Sequence, residues 1–161
     1  CKDYSGQDSN LLKELSKTTW ETEEIPQMLC GPLVGGLLQF LIKISGAERV
    51  LEIGMFTGYS TLKMAEALPE YGEIHSCELM QKHIDTAKRW FQQSRMNHKI
   101  HVHHGEAVKT LEEFKKREQE EKENLERISK EAKEEEKYLA EEQAMADRAE
   151  SFKEKDEKDK E

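Results

Sequence analysis

The sequence is poor in the features that would place a chain in an oxidising or membrane environment. Its 161 residues include three cysteines, Cys1, Cys30 and Cys77, widely separated and without C-x-x-C spacing. Neither a disulfide framework nor a cysteine-rich zinc site is encoded. No signal peptide is visible. The longest apolar stretch, LVGGLLQFLIKI from Leu33 to Ile44, carries Lys43 and is about half the ~20 residues needed to cross a bilayer. Positive charge is in deficit, with 25 Lys/Arg against 34 Asp/Glu and a net charge of -9. That balance argues against a general nucleic-acid or anionic-membrane surface. These absences predict a cytoplasmic protein with neither kind of partner. The first residue is Cys rather than Met, so the sequence need not be a complete gene product.

What charge there is lies mostly at one end. Residues 112–161 hold 20 Asp/Glu and 13 Lys/Arg, a net -7, which leaves -2 of the total -9 for residues 1–111. A compact domain over 1–111 and a charged helical extension over 112–161 are the expected division. The extension has no Pro or Gly and is rich in Glu, Lys, Ala, Gln and Arg, all good helix formers. Glu112/Lys116, Glu113/Arg117, Glu118/Lys122 and Glu126/Lys130 stand in the favourable i,i+4 order. A coiled coil is the alternative, with Leu111, Phe114, Leu125, Ile128, Leu139, Ala146 and Ala149 at core positions of one heptad register. The same register puts Glu118, Glu121, Glu135 and Glu142 in the seam, which favours a solvated single helix. It should fray through the final KEKDEKDKE.

The first 111 residues read as alternating strand and helix. Asn10–Lys17 is a short helix capped by Ser9 or Asn10, and TTWETEEIPQ is the loop after it. Leu33, Leu37, Leu38, Leu41 and Ile42 recur at helical spacing up to a C-capping Gly46. RVLEIG is a buried strand, YSTLKMAEALP a helix stopped by Pro69, GEIHSCE a second strand, residues 81–96 a helix, and KIHVHHG a third strand. With connections this short, the fold class is α/β. About three parallel strands form one half of a doubly wound, Rossmann-like sheet.

In such sheets ligands bind beyond the carboxyl ends of the strands. VLEIGMFTGYS, residues 50–60, is placed there. Gly54 and Gly58 allow a tight turn and close approach of the backbone to a ligand. The following helix offers free N–H groups, and Ser60 a hydroxyl, to a carboxylate or phosphate. Glu78, 24 residues beyond Gly54, stands near the spacing at which an acid accepts hydrogen bonds from ribose hydroxyls. An adenosine cofactor bearing a carboxylate or phosphate fits this pattern. Phe56 occupies the position of the second glycine in G-x-G-x-x-G, which disfavours NAD and FAD.

The run QMLCGPLVGGLLQFLIKISGAERVLEIGMFTGYSTLKMAEALPEYGEIHSCEL, continued by KIHVHHGEAVKTL, resembles the cation-dependent S-adenosylmethionine O-methyltransferases of the caffeoyl-CoA and catechol type. Their first motif reads E-I-G-x-x-x-G-Y-S. The resemblance implies that Glu52, Gly54 and Met55 line the cofactor and that Ser60 meets the methionine carboxylate. It implies that Glu78 holds the ribose hydroxyls and that Ala107, beside Gly105 and Glu106, borders the adenine. Cys30 falls where the family usually has Ser or Thr, so only a backbone contact carries over there. Tyr59 fits the family pattern and is expected to pack the turn. A divalent cation such as Mg²⁺, a small-molecule hydroxyl acceptor and a homodimer of the intact protein are also implied.

The family's cation and base residues lie in a segment of the type F-D-x-I-F-I-D-A-D-K, and nothing like it follows Leu111. The chain is therefore expected to hold the cofactor half of the site and to be inactive alone. The tail is read as an insertion before a fourth strand, with the chain cut or mis-spliced inside it. A non-catalytic S-adenosylmethionine-binding or protein-interaction module with a helical spacer is the alternative. A NAD-binding Rossmann protein is third.

His98, His101, His103 and His104 suggest a metal cluster, but His104 points away from the strand face shared by His101 and His103, and no Cys or acid completes a set, so no metal site is expected. Trp20 and Trp90 are expected to pack, and Cys77 to be a small buried hydrophobe.

Overall fold

A computed structural model describes residues 7–158. Cys1 and the last three residues of the expected frayed end lie outside the described residues. The chain divides into two units, Cys1–Glu112 and Glu113–Glu161.

In the first unit, helix α1 (Asn10–Thr22) starts where Ser9 Oγ accepts the Leu12 N–H at 3.4 Å. The helix outlasts its sequence reading by a turn. Thr18, Thr19 and Thr22 are poor helix formers, yet Thr19 is fully buried. Its hydroxyl bonds Leu15 O at 2.9 Å and Thr57 Oγ1 at 2.9 Å. Tertiary burial overrides local propensity here. After a short turn at Pro26–Met28 comes α2 (Gly31–Ser45), ended by Gly46 as its spacing predicts.

Strand β1 (Arg49–Ile53), helix α3 (Tyr59–Ala67), strand β2 (Glu73–Glu78), helix α4 (Gln81–Gln93) and strand β3 (Ile100–His104) complete the unit. The strands pair in parallel in the order β1-β2-β3, with Ile53 opposite Cys77 and Glu78 opposite His104. This α/β order, continued by the long helix α5 (Ala107–Lys158), is the architecture expected from the sequence pattern.

The core lies on one face of the sheet. Leu12, Leu15, Met55, Tyr59, Leu62, Ile84, Ala87 and Phe91 form one cluster, and Ile42, Met64, Ala65, Leu68 and Ile74 a second. Helix α3 sits between them and buries Tyr59 through Ala65 except Ser60. Trp90 packs against the first cluster, but Trp20, read as a packing residue, is 60% exposed. Cys77 is buried, as expected.

The expectation of a buried β1 is corrected. Leu51 and Ile53 are 40% and 66% exposed, because among the described residues β1 pairs with β2 alone and only alternate side chains face the helices.

Pro26–Ser45, at 20 residues and mean hydropathy 1.6, is apolar enough by length and composition to cross a membrane, which the reading of Leu33–Ile44 alone missed. Its continuous helix α2 has 15 residues, about 22 Å at 1.5 Å per residue. That is short of the ~30 Å hydrocarbon core, and Gly35 lies against Lys63 and Tyr59 of α3.

The second unit is helix. Its described side chains from Lys115 to Met145 are exposed, including Leu125, Ile128 and Leu139. The side chains of Ala146 and Ala149, assigned to the heptad core, lie outside those described. Among the described residues, ion pairs close at Lys116–Glu120 (3.7 Å), Arg127–Glu131 (3.9 Å) and Lys137–Glu141 (3.8 Å), the reverse of the order expected. At such exposure a pair is worth a few tenths of a kcal/mol, so side-chain entropy and rotamer choice decide which ones meet.

Gly58 joins the motif to this core. It has φ +87°, and a Cβ there would lie 2.6 Å from the Phe91 ring, which is itself packed in the first cluster. Gly54 has φ +89° with open space where a Cβ would go. Gly58→Ala should cost about 2–4 kcal/mol in urea unfolding, from backbone strain plus overpacking, and Gly54→Ala about 1–2 kcal/mol from strain alone. Equal losses would show that the ring contact contributes nothing.

Candidate cofactor site

The carboxyl ends of the three strands are tied to one another through their backbones. Gly54 N–H and Met55 N–H both donate to Cys77 O, at 2.9 and 3.2 Å, and Gly105 N–H donates to Glu78 O at 2.9 Å. The 54–58 turn is thus anchored across the top of β2. Phe56 takes φ +52°, a conformation costing a non-glycine residue about 1 kcal/mol. Its N–H donates to Glu78 Oε2 at 2.8 Å, a charge-assisted bond strong enough to offset that cost.

Glu52 and Glu78, the two acids picked out in the sequence, occupy different environments. Glu52 is buried. Its carboxylate accepts the hydroxyls of Ser60, Thr61 at 2.5 Å and Ser76 at 2.7 Å. Burial raises its pKa above the ordinary 4.5; the three hydroxyls oppose that rise and the nearby Glu78 charge adds to it. Glu52 is therefore a tie between β1, α3 and β2 as much as a wall of the site.

Glu78 faces the loops. Besides the Phe56 N–H it accepts those of Leu79 and Met80, each at 3.0 Å. Three N–H donors occupy most of the ~four acceptor positions of a carboxylate, leaving room for a further donor such as a hydroxyl. His83 Nδ1 lies 3.5 Å from Glu78 Oε1, its Nε2 lies 3.6 Å from Glu23 Oε2, and Lys82 Nζ meets the same Glu23 oxygen at 2.8 Å. The Phe56 ring stands edge-on to His83, 4.7 Å between centroids.

Of the remaining candidates, Gly54 stays open to solvent on the side where a Cβ would project, as does Gly105. Met55 is buried among Leu12, Leu15 and Tyr59, so it can offer a ligand only backbone. Ser60 has one proton and gives it to Glu52; a carboxylate ligand would have to exchange that bond or use the backbone N–H. Cys30 is half-buried at the start of α2 and packs against the first core cluster. Burial, then the Glu52 charge, pushes its thiol pKa up, away from nucleophilic use. Ala107 opens α5 two residues after Gly105.

Two clusters at the site had no sequence signal. The Tyr59 hydroxyl donates to Asp8 Oδ2 at 2.6 Å, and Lys63 Nζ, nearly buried, pairs with Asp8 Oδ1 at 3.2 Å. Burial, reinforced by Asp8, raises the Tyr59 phenol, so Tyr59 does pack the turn as a neutral group. Glu23 is the other, 55 residues before Glu78 in sequence. A cavity of about 610 Å³ lined by Thr18, Glu23, Lys82, Arg89 and Trp90 lies between α1 and α4. The constellation of Gly54, Glu78 and Gly105 is not part of its lining.

Residues 2–141 match the family model described as O-methyltransferase. The chain is 34% identical over 105 residues to a caffeoyl-CoA O-methyltransferase homologue from Arabidopsis thaliana, covering 65% of this chain and 45% of that protein. It is 34% identical over 115 residues to O-methyltransferase ankF of Aspergillus thermomutatus, covering 71% of this chain and 48% of that protein. Among solved structures it resembles the O-methyltransferase from Bacillus cereus in complex with SAH, at 29% identity and TM-score 0.65, covering 71% of this chain and 51% of that one. The chain thus spans about half the length of the curated relatives it matches.

The raised pKa of Glu52 fixes a pH trend. A carboxyl with a folded pKa above its unfolded value contributes stability below about 4.5, and that contribution is lost as pH rises through the folded value. Glu52→Gln should therefore gain stability relative to the parent between pH 4.5 and neutrality. Glu52→Ala should lose about 2–4 kcal/mol by leaving the buried Thr61 and Ser76 hydroxyls and the half-buried Ser60 hydroxyl without their acceptor. Urea unfolding across this window measures both, and parallel pH profiles for parent and Glu52→Gln would reject the assignment.

Proposed function

This chain belongs to the O-methyltransferase family, and we propose that it carries the S-adenosylmethionine-binding part of a small-molecule O-methyltransferase. The observation that carries this reading is the joined strand tops. Gly54 and Gly105 leave open space above β1 and β3, and Glu78 stands between them, held by three backbone N–H groups.

S-adenosylmethionine, when bound, supplies a methyl group on a sulfonium. The chain's own residues would bind and orient it. Glu78 accepts ribose hydroxyls with its remaining lone-pair capacity. The glycine turn lets the backbone come close, the start of α3 supplies N–H groups to the carboxylate, and Ala107 borders the base. Glu52 holds the turn in place from below.

From the same family reading, the intact protein takes a hydroxyl of a small aromatic or CoA-linked acceptor and pairs as a homodimer; the sparse, separated cysteines point to the cytoplasm. The family's divalent cation does not fit the residues here. The strand-end acids are Glu52, whose carboxylate accepts three hydroxyls, and Glu78, whose carboxylate accepts three N–H groups and keeps its remaining position for the ribose. No step is assigned through a cation, and no base is assigned.

Calorimetry of the full chain with S-adenosylhomocysteine tests the reading. Glu78→Ala should weaken binding by about 1.5–3 kcal/mol through loss of charge-assisted hydrogen bonds. Unchanged affinity would reject the ribose role, and tighter binding of NAD by the parent would reject the cofactor. With labelled S-adenosylmethionine, Mg²⁺ and a catechol or caffeoyl-CoA acceptor, the 161-residue chain should give no turnover. Mg²⁺-dependent turnover would overturn that expectation.

A further inference from the structure

On β2 the side chains of Ile74 and Ser76 are buried toward the helices, so Glu73 and His75 project from the other face of the sheet. His101 is the register partner of His75 on β3 and shares that face. The three meet. His75 Nε2 lies 3.6 Å from Glu73 Oε2, His101 Nε2 lies 3.9 Å from Glu73 Oε1, and one donor atom from each residue falls within 4.8 Å of the others. The His75 and His101 rings stack at 4.7 Å and 18°. His75 Nδ1 is 3.0 Å from His103 Nε2. The acid that the histidine run lacks in sequence is supplied here by a neighbouring strand.

We propose that Glu73, His75 and His101 form a divalent transition-metal site, fitted to Zn²⁺, with His103 orienting His75. Two imidazoles and one carboxylate are a donor set suited to such ions, leaving a fourth position to water. At Zn–N and Zn–O distances near 2.0–2.2 Å, tetrahedral ligand atoms stand about 3.3–3.6 Å apart. The observed separations, 3.6 and 3.9 Å to the two Glu73 oxygens and within 4.8 Å for one atom from each residue, close to that spacing by side-chain rotation of up to about 1 Å. A proton on His75 Nδ1, donated to His103, turns the Nε2 lone pair toward the metal and fixes the tautomer. Paired strands hold both imidazoles, a more rigid mount than a loop. The site is separate from the cofactor residues: Glu73 begins β2 and Glu78 ends it, about 16 Å apart at ~3.3 Å per residue. A hard cation such as Mg²⁺, which prefers six oxygens, fits it poorly.

The test is calorimetric titration of the chelator-treated full chain with Zn²⁺, with Co²⁺ absorption as a second readout. One Zn²⁺ should bind per chain and survive excess Mg²⁺. His75→Ala, His101→Ala and Glu73→Gln should each weaken it about tenfold or more, His103→Ala by about tenfold, and His98→Ala not at all. Co²⁺ should give visible d–d bands that His101→Ala abolishes. Circular dichroism checks each fold; if His75→Ala unfolds the sheet, the more exposed His101→Ala decides. Absence of Zn²⁺ binding by the parent, or binding unchanged by His101→Ala and Glu73→Gln, overturns the proposal. Neither outcome bears on S-adenosylhomocysteine affinity, which is read separately.

Discussion

The structure of the first unit turns on one buried carboxylate. Glu52 reaches from β1 to hydroxyls on α3 and β2, so a single acid positions the first strand, the helix after the turn and the neighbouring strand. An ionised group in this setting is costly unless its lone pairs are filled. Ser60, Thr61 and Ser76 fill them, and among the described residues no buried side-chain nitrogen or oxygen is left without a partner. The arrangement leaves little freedom in how α3 meets the sheet. That geometry in turn places the 54–58 turn above β2.

With the turn placed, Glu78 performs a similar task one layer out. It collects N–H groups from the 54–58 turn and from the start of α4, so the loop above β1 and the loop above β2 share one anion. A site built on shared anchors is pre-ordered before any ligand arrives. The opposite face of the sheet follows another logic, since Glu73 and His75 of β2 meet His101 and His103 of β3 there, across strands rather than within a loop. The two faces therefore present different chemistry from the same strands.

Several elements were legible because their signals are local. Gly46 ends α2 where the apolar periodicity stops, and three short β-rich runs separated by helices became a parallel sheet. Glu78 stood out by its spacing from Gly54. Other features were hidden because their partners are distant in sequence. Thr19 prolongs α1 by bonding Thr57, Asp8 pairs with Tyr59 and Lys63, and Glu23 reaches His83. Glu73 was overlooked as a companion to His101 because only strand register brings them together.

The sequence by itself determined the α/β order, the glycine turn with its two flanking acids and the charged helix, since periodicity, spacing and composition depend on neighbours along the chain. Only the tertiary structure decided that Ser60 is engaged by Glu52, that Met55 faces the core and that an acid joins the histidines. The physical reason is that side-chain hydrogen bonding and burial depend on which segments the sheet register and helix packing bring within a few ångströms. A one-dimensional pattern carries no such distances.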